Sequence, residues 1–266
     1  MSGTIPDAGT GATVGGTRHA RCVIVVPCYN EERRLQPRRF LDYMTHAFDV
    51  DFLMVNDGST DRTTDVLAAL ERTSGGRIRT LTLAPNRGKA EAVRQGLTRA
   101  LAGEPEVVGF WDADLATPLE AIDELREELR RRPQVEMVFG SRVKLLGRTI
   151  ERQPMRHYAG RVFATLTSLA LRLPVYDTQC GAKLFRRTPQ ITAYFAEPFS
   201  TRWIFDVEIL ARALTQPGRR AALVEGGGIL EYPLHEWRDI KGSKLKPFDF
   251  VIAAGELARI WAKYRP

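Results

Sequence analysis

Short apolar runs alternate with longer segments whose apolar residues recur at helical spacing. In the first half of the chain the short runs predict strands at 22–27, 52–56, 78–83, 107–111 and 135–139. The segments between them predict helices at about 31–47, 61–72, 88–101 and 118–131. Ile122, Leu125 and Leu129 illustrate the spacing, since all three fall on one helical face. This alternation is typical of an α/β fold in which parallel strands are joined by helices that cover the sheet.

The second half of the chain has a less regular pattern. One long segment, 155–173, predicts an amphipathic helix whose apolar face carries Met155, Tyr158, Val162, Leu166, Leu169 and Leu173. Further strands are expected at 182–185 and 229–232, and further helices at 205–214 and 248–264. Since neither a repeat nor a Pro/Ser-rich linker interrupts the chain, we expect a flexible tail over 1–20 and a single domain over 21–266.

Composition narrows the class of protein. The chain has 266 residues, 44% hydrophobic and 27% charged, which fits a globular protein and excludes a collagen-like or low-complexity chain. Its three cysteines, Cys22, Cys28 and Cys180, form no CxxC pair and are odd in number, which favours a reducing compartment. The first sixteen residues lack the features of a secretion signal, and no apolar stretch approaches the ~20 residues that span a bilayer. We therefore expect a cytoplasmic protein, soluble or peripheral at the inner face of a membrane.

Positive charge is unevenly distributed along the chain. The formal net charge is +7, and residues 140–161 hold six Lys or Arg against Glu151 alone. A solvated basic face is the simplest interpretation of any single arginine in this segment. Base-stacking aromatic residues are not interleaved with these cations, which argues against nucleic-acid binding. The local excess instead favours a binding site for a small anion.

Polar residues follow four of the predicted strands. They are PCYNEE at 27–32, NDGSTD at 56–61, PNRGK at 85–89 and DAD at 112–114. Because ligands collect at the carboxyl ends of parallel strands, these segments are expected to meet in one crevice. Taken alone, 56–61 also fits an ordinary turn in which Ser59 or Thr60 caps the next helix.

The DAD segment is the sharpest chemical signal. Asp112 and Asp114 are separated by one residue at a strand end, so both carboxylates can face a divalent cation that bridges a diphosphate. One of the two could instead cap the helix that Pro118 introduces. Lys89, after a glycine and before a helix, is placed to meet a diphosphate. The residues around Lys89 do not match the Walker A pattern, which argues against an ATPase. The GxGxxG pattern is missing after the first predicted strand, which argues against a dehydrogenase.

These motifs carry a resemblance to a known family. PCYNEE, VNDGSTD, NRGKAEAV and DAD, in this order, resemble the family 2 glycosyltransferases with a GT-A fold. Downstream, FGSR, RHYAGRVF, DTQCGAKLF, RWIFDVEIL and HEWRDIKGSKLKPF are similar to dolichyl- and polyprenyl-phosphate sugar synthases, most closely the dolichyl-phosphate β-glucosyltransferases. The likeness covers about residues 21–260. It implies a Rossmann-like, mostly parallel sheet, a nucleotide-binding half at 21–140 and an acceptor-binding half at 141–266.

The resemblance also implies a donor site. Uracil, ribose and diphosphate would contact residues of the strand ends, namely Pro27, Tyr29, Asn30, Glu31, Asp57, Lys89, Asp112 and Asp114. Asp114 would be the principal ligand of Mg²⁺ or Mn²⁺. Phosphomannose-transferring relatives add a Gln two positions after that aspartate, where this chain has Ala116.

On the acceptor side, a phosphate is already ionised near neutral pH and needs cations that align it rather than a strong base. Arginine suits this task because its guanidinium binds phosphate oxygens in two places. Arg142 and Arg156 match the acceptor-phosphate arginines of the subgroup.

Asp206 occupies the place where relatives that act on hydroxyl acceptors keep a catalytic base. The plainer alternative is that Asp206 interacts with the start of a helix. Trp203 fits either a sugar platform or the core. By the same resemblance, Arg238, Lys241 and Lys244 belong to a mobile lid that closes over the donor diphosphate. The alternative is that they form a cluster of charges at the protein surface.

The combined expectation is an inverting, metal-dependent hexosyltransferase that moves a sugar, most simply glucose from UDP-glucose, to a polyprenyl or dolichyl phosphate. Peripheral membrane contact would accompany such an acceptor. One alternative keeps the donor but uses a small soluble phosphate or hydroxyl acceptor. Another is a nucleotide-sugar-binding protein without turnover, which would predict disrupted motifs.

Overall fold

The structure is a computed structural model that describes residues 21–151, 154–240 and 249–265. The predicted tail at 1–20 lies outside the described residues, as do the cations Lys241 and Lys244. For Arg156 the helix backbone is described but the side chain is not.

Nine strands and nine helices are present in the described parts of the chain. The strands are β1 (Cys22–Cys28), β2 (Val50–Asp57), β3 (Ile78–Leu83), β4 (Val107–Trp111), β5 (Met137–Ser141), β6 (Thr149–Glu151), β7 (Ala182–Arg186), β8 (Ile229–Pro233) and β9 (Glu236–Arg238). The helices are α1 (Pro37–Met44), α2 (Thr63–Thr73), α3 (Lys89–Leu101), α4 (Ala121–Arg131), α5 (Pro154–Leu171), α6 (Pro189–Tyr194), α7 (Phe205–Thr215), α8 (Arg219–Val224) and α9 (Asp249–Tyr264).

Seven strands form the central sheet, in the order β3-β2-β1-β4-β7-β5-β8. Strands β3, β2, β1 and β4 are parallel, which confirms the predicted arrangement of the first half. Strand β7 runs antiparallel to both β4 and β5, with Trp111 opposite Ala182. The direction is reversed because the chain enters β7 from the cleft at the carboxyl end of β4. A separate two-stranded sheet pairs β6 with β9.

The central sheet is buried on both faces. Alternate residues of β1 contribute to two different hydrophobic clusters, Val25 to one and Ile24 to the other. Helices α3, α6, α7 and α9 cover the first face, and α1, α2 and α4 cover the second. Helix α3 approaches β1 closely at Gly96, where an added Cβ would lie 2.4 Å from Val25 Cγ1. Double burial explains why β1 and β2 are nearly continuous apolar runs.

Two predicted helices differ from the observed ones. The helix expected at 31–47 begins only at Pro37, because the residue before a proline avoids helical backbone angles; Gln36 has φ −115° and ψ 80°. Helix α5 lies where a helix was expected over 155–173. Its apolar stripe, however, is exposed at Tyr158, Val162, Leu166 and Leu169, and its buried contacts include Ala164, Thr167 and Leu171. The short elements β6, β9, α6 and α8 were not predicted.

Candidate active site

The polar strand ends converge on one cavity of about 830 Å³. The remaining walls come from α5, the loop before β7, the segment before α7, and α9. Many of the residues singled out by sequence lie on these walls: Pro27, Tyr29, Glu31, Asp57, Lys89, Asp112, Asp114, Arg142, Trp203 and Asp206. Asn30 and Arg238 are not among the lining residues.

Asn30 connects the loops after β1 and β2. Its backbone N–H donates to Ser59 Oγ at 3.1 Å, and its side-chain oxygen accepts the Thr60 N–H at 2.8 Å. Its φ of +51° is the left-handed conformation that asparagine tolerates better than most residues. In this structure Asn30 therefore shapes the loop that presents Tyr29 and Glu31 to the cavity.

Asp57 joins the loop after β2 to the loop after β3. Its carboxylate accepts the backbone N–H groups of Arg87 at 2.7 Å and Gly88 at 2.8 Å, and the Asn86 side-chain amide at 2.8 Å. The turn interpretation of this segment is right in part, because Asn56 accepts the Ser59 N–H. The contact at the start of α2 comes from Asp61 rather than from Ser59 or Thr60.

Asp112 and Asp114 lie in different electrostatic environments. Burial tends to raise the pKa of Asp112, but the ammonium of Lys89, 2.5 Å away, outweighs it and the pKa is lowered. For Asp114, burial and then the neighbouring Asp112 charge raise the pKa. Asp114 accepts the Ala116 N–H at 3.2 Å and forms no ion pair with a described residue. A cation at this site would therefore offset the repulsion between the Asp114 and Asp112 carboxylates.

The loop that carries both aspartates is fixed at its ends. The indole of Trp111, fully buried, donates to the Thr117 carbonyl at 2.8 Å. Leu115, between Trp111 and Thr117, has a φ of +54°. This left-handed backbone conformation costs energy in a leucine, and residues strained in this way cluster at functional sites. On the other side, an added Cβ on Gly181 would lie 1.9 Å from Asp112 Oδ2, so only glycine fits there.

Arg142 is held by a buried ion pair. Its Nε and Nη2 donate to the two oxygens of Asp177 at 2.6 and 2.8 Å. Glu231 in turn accepts the backbone N–H groups of Tyr176 and Asp177, both at 2.7 Å. This network fixes the guanidinium at the cavity wall. Asp177, the first residue of the DTQCGAKLF motif, therefore orients Arg142.

Asp206 lies in the first turn of α7, one residue after Phe205, and is paired with Lys183. The ammonium of Lys183, whose side chain is fully buried, lies 2.6 Å from Asp206 Oδ1 and contacts the Cys180 carbonyl. Phe110 and Phe139 flank it, with ring centroids 5.1 and 5.3 Å from Nζ. Burial raises the pKa of Asp206, and the charge of Lys183 opposes that rise only in part. Lys183 belongs to the DTQCGAKLF motif, but no local spacing indicated that it would pair with Asp206.

The segment before α7 is anchored by a glutamate of α9. The carboxylate of Glu256 accepts the backbone N–H groups of Arg202, Trp203 and Ile204 at 2.9, 3.0 and 3.2 Å. Trp203 is 38% exposed and lines the cavity, so it is not a core residue. The helix containing Glu256 was predicted, but nothing in the sequence indicated which of its residues would reach this segment.

Arg238 lies on β9, and its Nε is 2.9 Å from Glu236 Oε1 at the surface. Arg161, which was not assigned, lines the cavity with its guanidinium 3.6 Å from the centre of the Tyr176 ring. The described residues contain no group of three or more His, Cys, Asp or Glu that could hold a metal ion.

A mostly parallel sheet whose strand ends carry a paired-aspartate loop beside a large cavity is the arrangement expected of a GT-A glycosyltransferase. The family comparison agrees: the family described as "Glycosyl transferase family 2" matches residues 23–191. The chain belongs to this family, as the motifs predicted, and it is a glycosyltransferase.

Curated relatives extend the likeness over most of the chain. A dolichyl-phosphate beta-glucosyltransferase of Drosophila melanogaster is 34% identical over 258 residues, which is 91% of this chain and 74% of the relative. The Homo sapiens protein of the same name is 32% identical over 243 residues, covering 85% of this chain and 69% of the relative.

Solved structures show the same fold. Glucosyl-3-phosphoglycerate synthase from Mycobacterium tuberculosis matches with a TM-score of 0.63 at 18% identity. The match covers 92% of this chain and 81% of the synthase chain. A complex of that enzyme with Mn²⁺ and UDP-glucose has a TM-score of 0.62 at 19% identity, with 92% and 79% covered. At identities below 20% these comparisons show the fold alone, and that fold is the predicted GT-A fold.

Proposed function

We propose that this glycosyltransferase moves glucose from UDP-glucose to a polyprenyl phosphate such as dolichyl phosphate, with inversion at the anomeric carbon. The observation that carries the proposal is a single cavity lined by both sets of predicted residues. We call Asp57, Lys89, Asp112 and Asp114 the donor wall, and Arg142, Asp206 and Trp203 the acceptor wall. The names of the curated relatives supply the substrate class.

On the donor wall, Tyr29 and Glu31 are proposed to contact the nucleoside together with Asp57. Lys89 begins α3, so its ammonium and the helix N-terminus both favour a bound diphosphate. Asp114, with Asp112 beside it, would hold Mg²⁺ or Mn²⁺. When bound, that ion neutralises the charge that develops on the leaving diphosphate.

On the acceptor wall, Arg142 is proposed to bind the acceptor phosphate through Nη1, since Asp177 already occupies Nε and Nη2. A phosphate oxygen forms the new bond to the anomeric carbon while the bond to UDP breaks, and no proton has to be removed from the acceptor. Asp206 is proposed to accept a hydrogen bond from a sugar hydroxyl through Oδ2, since Lys183 is paired with Oδ1. The proposal assigns Arg156 and Lys244 to the acceptor side on the resemblance alone.

Membrane contact is proposed on the outer face of the two neighbouring helices that wall the cavity. Tyr158, Val162, Leu166 and Leu169 of α5 are exposed, as are Val251 and Trp261 of α9. At one end, Trp261 shares a shallow cavity with Arg172 and Arg265. Apolar side chains bordered by Trp and Arg suit the boundary between lipid tails and anionic headgroups. Within the described residues, no helix is long and apolar enough to cross a bilayer.

The test of the membrane surface is vesicle flotation. Leu166→Asp with Leu169→Asp is expected to abolish flotation with vesicles that contain an anionic lipid, while activity on a short-chain acceptor in detergent persists. Phe48→Asp is a matched control, because Phe48 is 70% exposed but lies in the loop before β2. Equal loss of flotation in both variants would refute the assigned surface.

The test of the reaction is mass spectrometry of the products. The protein is offered UDP-glucose, UDP-GlcNAc and GDP-mannose together, with a short polyprenyl phosphate and Mn²⁺. The expected product is the hexosyl polyprenyl phosphate, with UDP released. Asp114→Asn serves as the control for a contaminating enzyme. A product carrying N-acetylhexosamine, or release of GDP rather than UDP, would contradict the proposed donor.

One observation favours a second candidate, a hydroxyl acceptor. Burial raises the pKa of Asp206, which is the direction expected for a general base. With a hydroxyl acceptor, Asp206→Asn should lower kcat by about 10² or more, whereas a phosphate acceptor predicts a small loss. Replacing polyprenyl phosphate by small phosphates and alcohols in the product assay separates the two candidates.

A further inference from the structure

Arg202 differs from the other cations that line the cavity. In the described part of the chain these cations are Arg34, Lys89, Arg142, Arg161 and Arg202. The first three form ion pairs with carboxylates, and Arg161 donates to the Tyr176 carbonyl. The guanidinium of Arg202 has neither an ion pair nor a hydrogen bond with any described residue. Of these five cations, Arg202 is therefore the one whose guanidinium has neither kind of polar contact within the described residues.

The guanidinium lies against the beginning of α3. A Cβ built on Gly88 would be 3.3 Å from Arg202 Nη2 and 3.5 Å from Nε. The backbone N–H of Gly88 donates a hydrogen bond to the Asp57 carboxylate, and the next residue, Lys89, is the first of α3. Arg202 thus belongs spatially to the donor wall, although it comes from the acceptor half of the sequence.

The backbone of Arg202 is fixed before any ligand arrives. Glu256 accepts the N–H of Arg202 and those of the next two residues, and the Glu256 side chain is buried. Fixing the backbone limits the conformational entropy that binding would otherwise cost. The side chain remains exposed to the cavity, with all five guanidinium N–H groups available.

We propose that Arg202 binds phosphate oxygens of the donor diphosphate, opposite Lys89. An anion is the ligand that compensates an unpaired guanidinium, and phosphate matches its two parallel donors. The acceptor phosphate has the same chemistry, but the contact with Gly88 places Arg202 on the donor wall. This assignment rests on the proposed function for the identity of the donor as a nucleoside diphosphate.

The test compares ligands that differ only in phosphate. Calorimetry with Mn²⁺ present measures UDP and uridine binding to the full chain and to Arg202→Met. UDP affinity is expected to fall about 10- to 100-fold, while uridine affinity changes less than about twofold. Arg202→Lys should retain part of the UDP affinity. Arg99→Met, at the other end of α3, removes the same charge outside the cavity and should leave both affinities unchanged.

Two results would overturn the assignment. Equal losses for UDP and uridine would mean that Arg202 supports the fold or the nucleoside site. Unchanged UDP affinity with a raised KM for polyprenyl phosphate would place Arg202 on the acceptor instead.

Pyrophosphate as a third probe separates this inference from the proposed function. If the unmodified chain binds pyrophosphate but no uridine compound, and Arg202→Met loses the pyrophosphate, the nucleotide donor is wrong and the Arg202 assignment stands. If the unmodified chain binds neither pyrophosphate nor UDP, both fail.

Discussion

Two carboxylates lie two residues apart in the first turn of α7 and have opposite pKa shifts. Glu208 is fully buried and accepts from Ser200 N, Thr201 N and Oγ1, Arg212 Nη2 and Tyr264 OH, all at 2.8–3.0 Å. These donors outweigh burial, so the pKa of Glu208 is lowered. Asp206 faces the cavity, its one ionic partner among the described residues is Lys183, and burial raises its pKa.

The contrast separates a structural carboxylate from one left available for a ligand. Glu208 ties α7 to the loop before it and to the end of α9, and all of its capacity as an acceptor is used inside the protein. Asp206 keeps one oxygen for the cavity. The two aspartates after β4 repeat the contrast, since Lys89 neutralises Asp112 while Asp114 has no described ion pair. A carboxylate that is buried with few hydrogen-bond or ionic partners, rather than burial alone, therefore marks the candidate site.

The largest effect is expected at Asp114. Asp114→Asn removes the charge that would hold the cation, and turnover with Mn²⁺ should fall by about 10³-fold or more. Steady-state release of UDP measures the loss. Asp61→Asn, an aspartate that contacts the start of α2 outside the cavity, is the control and should retain turnover. Full activity of Asp114→Asn would remove the metal assignment.

The next effect sharpens the role of the Lys183–Asp206 pair. Lys183→Met leaves Asp206 buried without its countercharge and should lower the free energy of unfolding by about 3 kcal/mol. Adding Asp206→Asn removes the stranded charge and should restore most of the stability but not the activity. Urea unfolding of both variants tests this, and a double variant as unstable as the single one would show that the pair is not electrostatically coupled.

Glu208→Gln is expected to act on stability alone. Loss of its charge-assisted hydrogen bonds should cost about 2 kcal/mol of unfolding free energy, while kcat per folded molecule stays unchanged. Glu127→Gln, whose partners Arg130 and Arg131 lie at the surface, should cost less than about 0.5 kcal/mol. A kcat loss in Glu208→Gln comparable to that of Asp206→Asn would erase the distinction between the two carboxylates.

The smallest effect is a difference in pH dependence. Because the pKa of Asp114 is raised in the folded state, its ionisation costs stability at neutral pH, and the cost disappears as the pH falls below the unfolded pKa of about 3.9. Metal-free Asp114→Asn should therefore be slightly more stable than the unmodified chain at pH 7, by less than about 1 kcal/mol, and no more stable at pH 3.

Glu208 has the opposite sign. Its lowered pKa contributes stability that is present above the unfolded pKa and lost as the pH falls, so the deficit of Glu208→Gln should shrink in acid. Thermal unfolding across pH 3–7 measures both trends. Parallel pH curves for the two variants would contradict the assigned shifts.

Local patterns predicted the seven strands of the central sheet, because a strand's apolar run depends on neighbours in sequence. The convergence of the polar strand ends followed from the general rule for parallel sheets. The contacts made by Lys183, Arg202 and Glu256 depend on tertiary packing between distant elements, and no local spacing indicates them. The direction of β7 follows from where the preceding loop crosses the cleft. The exposed stripe of α5 shows that periodicity finds an apolar face without telling which way that face points.

The most direct test of the donor site is calorimetric titration of the unmodified chain with UDP, first with Mn²⁺ and then after chelation with EDTA. We predict one UDP bound per chain, at least tenfold more tightly with Mn²⁺, and loss of that metal dependence in Asp114→Asn. No uptake of UDP with Mn²⁺ present, or an equal metal dependence in Asp114→Asn, would contradict a nucleotide site built on this aspartate.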